Sequence, residues 1–361
     1  MMQTNPASTS PNVLQSALVP EFDAERLALF LGSRLEGDWQ GLKLERFVGG
    51  QSNPTYRLQA GDRAYVLRKK PPGTLLPSAH AIDRECRVMT ALDAMGFPAP
   101  RPILYESDST IIGTPFYIMP FVDGRVFKDP ALPGVSPHDR TQIYDAMVNA
   151  IATLHNIDPD LASLGDFSRP GAFYVRQIKR WTEQYRAVAL GNDPAMEQLI
   201  EWLPAHLPAT EERRLVHGDF RLENMLFHPT EPILLAVIDW ELAALGDPMA
   251  DLAYNMMAWH LPQKAFGGFI DRDIVGSGIP LEAAYLARYS QLRSREGCGD
   301  WGFYVAFAMF RLAAILYGVL RRGLDGNASS PDAVERGRLA VVCAEAGCRG
   351  IELSERNGLS Q

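Results

Sequence analysis

Cysteine is scarce in this sequence, and its few copies form no pattern. The chain has 361 residues and four cysteines, none of them in a CxxC pair or near histidines at zinc-ligand spacing. This argues against a zinc site. Residues 1–20 also lack the basic and apolar segments of a secretory signal peptide. We therefore expect free thiols and a cytoplasmic location.

Positive charge is also in short supply. The chain carries 35 Lys and Arg against 43 Asp and Glu, a formal net charge of −8. Broad nucleic-acid binding would show as a basic excess, so we expect no nucleic-acid partner.

An uninterrupted apolar run is lacking too, because the longest one, residues 303–320, carries Arg311 at its middle. A charge there is costly in a membrane, so we predict a buried core helix and no membrane contact.

What the chain does contain is two regions of different character. Its length is too great for one small core, so we expect two lobes with a cleft between them. Residues 1–20 are rich in Ser, Thr, Asn and Pro and are expected to form a mobile arm. Residues 21–122 begin with a helical pattern and continue with strand patterns such as PTYRLQA and RAYVLRKK, whereas helical patterns dominate residues 123–361. These patterns predict an α+β fold with a small β-rich N-lobe and a larger, mainly helical C-lobe.

The stretch LVHGDFRLEN, residues 215–224, concentrates polar groups directly after an apolar pair. Phosphoryl transfer needs a group that orients the nucleophilic hydroxyl, oxygen ligands for Mg²⁺ and cations for the phosphates. Asp219 could accept the proton of the hydroxyl, Arg221 could contact the transferring phosphate, and Asn224 together with Asp239 in LLAVIDWE could ligate the metal. Taken alone, an H-x-D stretch is also typical of a turn closed by an aspartate hydrogen bond.

Taken together, these stretches resemble a known family. HGDFRLEN is similar to the catalytic loop H-x-D-x-[K/R]-x-x-N of kinase-like enzymes, and IDWE is similar to the D-F-G motif. The glycine after His217 and the tryptophan after Asp239 resemble the aminoglycoside phosphotransferase and choline kinase-like family. With VLRKKPPG and IDWELAALGDPMADLAY, the resemblance is strongest to the kinase-like domain fused to, or beside, acyl-CoA dehydrogenases. It covers about residues 40–320 and implies a two-lobed protein-kinase-like fold, its N-lobe built on an antiparallel sheet.

The resemblance assigns roles to the catalytic residues. It implies that Asp219 is the catalytic base and that Asn224 and Asp239 hold Mg²⁺, their side-chain oxygens facing one common site in the cleft. His217 is implied to be a scaffold residue of the loop. Asp251, in GDPMADLAY, resembles the acidic residue that supports the catalytic loop from below.

The resemblance also implies a nucleotide site. Glu85, in DRECRVM, matches the helix glutamate that pairs with the phosphate-binding cation, which is usually a lysine. Arg68 stands at the matching position. Lys70 has the same strand parity and stays open as a second candidate.

Four further residues of the implied nucleotide site lie in the loop GGQSNPT, which would cover the phosphates, and two lie in the connector FYIMPFVDG, which would hold the adenine. They are Gly49, Gly50, Ser52 and Asn53 in the loop, and Met119 and Val122 in the connector.

The function implied is an ATP- and Mg²⁺-dependent transfer of the γ-phosphate to a hydroxyl of a small-molecule acceptor, with a hydroxyacyl-CoA or related metabolite as a candidate. An aminoglycoside pocket should be strongly acidic, whereas residues 255–320 are notably apolar. The alternative is a non-catalytic, nucleotide-binding or regulatory partner of an acyl-CoA dehydrogenase. The simultaneous presence of Asp219, Asn224 and Asp239 favours the enzyme. Nothing in the sequence supports an acyl-CoA dehydrogenase itself, since we find no candidate flavin site.

Overall fold

The computed structural model of the chain describes residues 14–15, 22–47, 53–71, 81–167, 172–328 and 330–358. All but two residues of the predicted N-terminal arm lie outside this range. The same holds for Gly49, Gly50 and Ser52 of the predicted phosphate loop.

Ten strands and nine α-helices occur in the described part of the chain. The strands are β1 (Leu14–Gln15), β2 (Lys43–Phe47), β3 (Thr55–Ala60), β4 (Arg63–Lys69), β5 (Leu104–Glu106), β6 (Phe116–Pro120), β7 (Arg214–Val216), β8 (Met225–Phe227), β9 (Leu234–Val237) and β10 (Ala244–Gly246). The helices are α1 (Ala24–Arg34), α2 (Ile82–Ala94), α3 (Pro137–Asn156), α4 (Phe173–Val188), α5 (Pro194–Ala205), α6 (Pro248–Asn255), α7 (Glu282–Leu292), α8 (Trp301–Leu324) and α9 (Ala333–Gly358). Short 3-10 helices span Leu222–Asn224, Trp240–Leu242 and Met257–His260.

The chain divides into two compact units. The first unit comprises the chain up to Val126 together with Asn224–Ala243, and the second comprises Phe127–Glu223 and the chain from Ala244 onward. The sequence pattern had suggested a boundary after Val122 and had assigned residues 224–243 to the helical lobe. In the structure the hairpin of β8 and β9 bonds to the first unit, because the Val237 N–H donates to Pro98 and Arg125 exchanges backbone hydrogen bonds with Phe227.

The first unit is built on a six-stranded antiparallel sheet in the order β1-β2-β3-β4-β6-β5. β3 and β4 form a tight hairpin in which Ala60 pairs with Arg63 and Gly61 adopts a positive φ of 55°. Leu58 and Leu67 on one face of this hairpin are fully buried in a core that also holds residues of α1. Alternation of buried and half-buried side chains along β3 explains why the pattern PTYRLQA predicted this strand.

Helix α2 carries one polar residue on its buried face. Ile82, Val88, Met89 and Leu92 are buried at helical spacing, as expected for an amphipathic helix. Glu85 lies on the same face and is only 2% exposed. A carboxylate in that position needs a positively charged partner, and the partner is described below.

The second unit is mainly helical. Helices α8 and α9 pack closely along one another, because Gly302 and Gly350 occupy the contact and a Cβ atom on Gly302 would lie 2.6 Å from the Gly350 carbonyl oxygen. Its strands β7 and β10 pair antiparallel, with Val216 opposite Ala244. Helix α8 is long and apolar enough to cross a membrane by length and composition, yet 72% of its most apolar window is buried within the protein. This burial confirms the predicted core helix.

Candidate active site

Arg68 is the centre of a polar cluster in the first unit. Its Nε lies 3.1 Å from Glu85 Oε2, and its Nη2 lies 3.0 Å from both Asp239 Oδ1 and Glu241 Oε2. The arginine side chain is 14% exposed. Lys70, the second candidate cation, instead lies 3.9 Å from the carboxylate of Asp83, at the surface. Of the two candidates, the structure therefore pairs Arg68 with the helix glutamate.

The Arg68 cluster contains more negative than positive charge. Three carboxylates share one guanidinium. Burial raises the pKa of Glu85 to about 7, opposed by the charge of Arg68 and reinforced by Asp239 and Glu241. Burial disfavours the charged form of Arg68, but the surrounding carboxylates outweigh this and raise its pKa. Such a cluster can accept a further cation with little cost.

A strained backbone turn directs Asp239 toward this cluster. Asp239 has φ 68° and ψ 58°, the left-handed region that a non-glycine residue rarely adopts. The turn is fixed by Trp240, whose buried indole donates to the Val237 carbonyl at 2.9 Å and packs edge-to-face on Phe97. Glu241 follows in the same 3-10 turn and also reaches Arg68. Sequence reasoning did not single out Glu241, although the motif IDWE contains it.

The residues predicted to hold Mg²⁺ lie at one end of the β8–β9 hairpin. Met225 pairs with Val237, so Asn224 stands opposite Ile238, whose N–H donates to the Asn224 carbonyl at 2.9 Å. Asp239 is the next residue. Mg²⁺ is usually held by one or two protein oxygen ligands together with substrate phosphates and water. An amide oxygen and a carboxylate, with the further carboxylates at Arg68, fit that requirement.

Three more residues predicted to contact the nucleotide lie in the described part of the first unit. Asn53 is buried just before β3, and its carbonyl accepts a hydrogen bond from the Thr55 hydroxyl. Met119 is half-buried in β6, opposite Val66. Val122 follows that strand and is also half-buried. Their contacts with a nucleotide stay predictions, as does the role of the glycine-rich loop that lies outside the described residues.

The HGD stretch of the second unit is held from below by a buried carboxylate. Asp251 accepts hydrogen bonds from the N–H groups of His217 at 2.7 Å and Gly218 at 2.9 Å, and from His155 Nε2 at 3.3 Å. Burial alone would raise the pKa of Asp251, but the hydrogen bonds from His155 and His217 outweigh burial and lower it. His217 is fully buried, and its Nδ1 accepts the N–H of Asp219. The predicted supporting roles of Asp251 and His217 are therefore confirmed.

Asp219 is held by neighbouring side chains but stays partly exposed. Its side chain is 16% exposed, and its Oδ1 lies 3.2 Å from Arg221 Nε. Arg221 also forms an ion pair of 2.6 Å with Glu223. The buried hydroxyl of Tyr254 hydrogen-bonds the Asp219 side chain, and burial together with this neighbouring carboxylate raises the pKa of the tyrosine. Tyr254 was not predicted as a site residue, although it ends the motif GDPMADLAY, because it lies 35 residues downstream of Asp219 and only the fold brings the two together.

Arg311, in the middle of α8, contacts the same loop. It donates a hydrogen bond to the Gly218 carbonyl, and its guanidinium lies 4.8 Å from the ring centre of Tyr254 and 5.5 Å from that of Trp181. The sequence suggested a paired structural charge. The partners found are a backbone carbonyl and two aromatic faces rather than a carboxylate.

Solved structures with the same fold as this chain include several phosphotransferases. A protein of Ralstonia eutropha described as a candidate aminoglycoside phosphotransferase is 44% identical, with a TM-score of 0.82, over 93% of this chain and 99% of its own. A thermostable mutant of aminoglycoside phosphotransferase APH(4)-Ia, solved with ADP and hygromycin B, is 17% identical, with a TM-score of 0.58, over 89% of this chain and 97% of its own. The predicted kinase-like α+β fold is thereby confirmed.

Curated relatives are longer proteins. Acyl-CoA dehydrogenase family member 10 of Mus musculus is 46% identical over 336 residues, covering 92% of this chain and 31% of its own length. Acyl-CoA dehydrogenase family member 11 of Homo sapiens is 40% identical over 362 residues, covering 97% of this chain and 46% of its own length. This chain thus spans 31% and 46% of the lengths of these two relatives. A family model described as the phosphotransferase enzyme family matches residues 43–292, and the chain belongs to that family.

Proposed function

We propose that this protein is an ATP-dependent phosphotransferase that moves the γ-phosphate to a hydroxyl of a small-molecule acceptor. The observation that carries the proposal is the arrangement around Asp219. This carboxylate is partly exposed on a loop whose backbone is fixed by the buried Asp251, and it is hydrogen-bonded by Tyr254. A fixed, accessible carboxylate is what orienting a hydroxyl requires.

Asp219 would act as the base of the reaction. It would accept the acceptor's hydroxyl proton as the hydroxyl oxygen forms a bond to the γ-phosphorus and the bond to the bridging oxygen of ADP breaks. Arg221, beside Asp219, would contact the transferring phosphate. Tyr254 would keep the carboxylate oriented, because its own hydroxyl is buried and cannot turn to solvent.

The first unit would hold the nucleotide. Arg68, fixed by Glu85, would contact the phosphates with bidentate geometry that a lysine lacks. The other predicted nucleotide contacts are Gly49, Gly50, Ser52 and Asn53 at the phosphates and Met119 and Val122 at the adenine. Asn224 and Asp239 would hold Mg²⁺, which supplies positive charge to the phosphate oxygens when bound. Complexes of APH(4)-Ia mutants with ADP and with AMP-PNP support a nucleotide ligand.

For the acceptor, we propose a hydroxyacyl-CoA or a related hydroxylated metabolite. The names of the longer relatives support this choice, because a kinase-like region joined to an acyl-CoA dehydrogenase would share its substrates. The same relatives favour a second candidate, in which the chain is a non-catalytic partner of an acyl-CoA dehydrogenase. A cytoplasmic location stays a prediction.

An acceptor screen with two matched variants distinguishes these candidates. ATP consumption is measured with hydroxyacyl-CoAs, sugars, amino alcohols and aminoglycosides, and Kd for Mg·ATP is measured in parallel. We expect Asp219→Asn to lower kcat by about 10²–10⁴-fold and to leave the Kd largely unchanged.

Asp239→Asn should weaken Mg·ATP binding by about 10–100-fold and lower turnover as well, because it removes a hard anionic ligand. Equal phosphoryl transfer by wild type and Asp219→Asn would contradict the proposed base. Tight nucleotide binding without turnover on any acceptor would favour the non-catalytic partner.

A further inference from the structure

Two arginines flank one tryptophan close to the catalytic loop of the second unit. The guanidinium carbon of Arg180, on α4, lies 5.0 Å from the ring centre of Trp181, and that of Arg311, on α8, lies 5.5 Å from it. Arg311 also donates to the carbonyl of Gly218, the residue before Asp219. The pair of guanidiniums therefore begins within one residue of the proposed base.

The positive charge of this pair is not neutralised by the protein. In the part of the chain that the structure describes, neither Arg180 nor Arg311 lies within ion-pair distance of a carboxylate. Burial and the neighbouring charge of Arg311 both lower the pKa of Arg180. Arg180 is exposed and Arg311 is half-buried, so bringing the two like charges together is unfavourable, and an anion placed between them would relieve the repulsion.

The tryptophan between them has an unused hydrogen-bond donor. Trp181 is 7% exposed, and its Nε1 is buried without a hydrogen-bond partner among the described residues. Buried indole N–H groups usually find an acceptor, because leaving one unpaired costs about 1–3 kcal/mol. A single negatively charged acceptor group would therefore pair with both arginines and accept the hydrogen bond of the indole.

We propose, on the basis of the function proposed above, that Arg180, Arg311 and the Trp181 indole N–H bind an anionic group of the acceptor while its hydroxyl lies at Asp219. The acceptor is then a hydroxylated organic anion, and the bound group is a carboxylate or a phosphate. Polycationic aminoglycosides are disfavoured, because their ammonium groups would be repelled by both guanidiniums.

Acceptors that differ only in charge test the proposal. Hydroxy carboxylates of several chain lengths are compared with their neutral methyl esters and with amino alcohols of equal length, and sugar phosphates and hydroxyacyl-CoAs test the phosphate source. Binding in the presence of ADP is measured by calorimetry, and ATP turnover is measured separately. We expect at least one anionic series to bind, and to bind at least about tenfold tighter than its neutral or cationic counterparts.

Arg180→Gln is the diagnostic variant, since among the residues that the structure describes no hydrogen bond or ion pair joins Arg180 to the catalytic loop. It should weaken binding of the anionic probe, and raise its KM, by about 10–100-fold, with kcat and binding of the neutral ester nearly unchanged. Lys179→Gln is the matched control, because Lys179 is adjacent in sequence, 76% exposed and paired only weakly with Glu183 at 3.9 Å. Arg311→Lys should show the same loss for anions, and its thermal unfolding is compared with wild type because Arg311 also supports the loop.

The outcomes separate this inference from the proposed function. Turnover on neutral or cationic acceptors with no preference for anions would overturn the anion site and leave the phosphotransferase intact. Anion binding that is lost in Arg180→Gln without any turnover would support the site and count against the phosphotransferase. Failure of every anionic probe to bind, or equal effects of Arg180→Gln and Lys179→Gln, would overturn the site.

Discussion

Glu85 in the first unit and Asp251 in the second are both buried carboxylates, each 2% exposed, yet their surroundings give them opposite properties. Asp251 is surrounded by donors from His155, His217 and Gly218, and its pKa is lowered. Glu85 shares its single arginine with two other carboxylates, and its pKa is raised to about 7.

This difference shows which of the two clusters is complete within its own unit. The loop that carries Asp219 is held by hydrogen bonds that are satisfied internally, so it needs no ligand to keep its shape. The Arg68 cluster instead places three carboxylates around one guanidinium, a charge balance that a bound cation would improve. A nucleotide that arrives with Mg²⁺ would supply that cation and offer its phosphates to Arg68.

The largest effect on stability is expected for Asp251→Asn. The amide would present a donor to one of two backbone N–H groups, so the free energy of unfolding should fall by about 2–5 kcal/mol. Because the pKa of Asp251 is lowered, its contribution is present above the ordinary pKa of 3.8 and is lost as the pH falls through the lower folded-state value. Urea unfolding of wild type and variant at neutral and acidic pH measures this.

Asp325→Asn is the control for that measurement. Asp325 is 41% exposed and pairs with Arg321 on the same helical turn at 2.9 Å, so its loss should cost no more than about 0.5 kcal/mol. Equal losses for the two variants would show that Asp251 is not the support of the loop.

The stability contributed by Glu85 should depend on pH in the opposite direction to that of Asp251, and Glu85→Gln should abolish this dependence. A carboxyl whose folded-state pKa is raised from 4.5 to about 7 stabilises the protein below pH 4.5, and this contribution is lost as the pH rises through 7. Between these values the ligand-free wild type should lose roughly 3 kcal/mol relative to the variant, which cannot titrate. The measurement is urea unfolding of both proteins over this pH range. A difference that does not change with pH would mean that Glu85 is ionised throughout.

Arg68→Gln and Lys70→Gln separate the two candidate phosphate cations. Arg68→Gln should weaken ADP binding by about 10–100-fold, because it removes charge-assisted hydrogen bonds to the phosphates. Lys70→Gln should change it by no more than about threefold, since Lys70 is 29% exposed and only loosely paired with Asp83. Calorimetric titration with ADP distinguishes them. A larger loss for Lys70→Gln would transfer the phosphate-binding role to Lys70.

The smallest effect is expected for Tyr254→Phe. Removing the hydroxyl frees one oxygen of Asp219 without changing the charge of the base, so kcat should fall by about 3–10-fold with KM for ATP unchanged. Tyr317→Phe is the control, because the Tyr317 hydroxyl donates to Asp193 rather than to the catalytic loop. An unchanged kcat in Tyr254→Phe would show that Arg221 and the backbone are enough to orient Asp219.

Much of the fold followed from local patterns. The alternation in PTYRLQA predicted β3, and the helical apolar spacing after Asp83 predicted most of α2. Strand β5 was missed because three residues are too few to show alternation. Residues 224–243 follow the catalytic loop in sequence, yet they bond to Pro98 and Arg125 in the first unit, which no local pattern could indicate.

The sequence by itself determined the family, the two kinds of unit and the order of Asp219, Asn224 and Asp239, because these residues lie in short motifs whose spacing is set along the chain. Only the tertiary structure decided the partners of those residues. Arg68 and Lys70 have the same strand parity, and the packing of α2 brings Glu85 to the first of them. Contacts such as Tyr254 with Asp219, or Arg311 with Gly218, join residues 35 to 93 positions apart. Such contacts depend on how helices pack in three dimensions, and packing leaves no periodic signal in a single sequence.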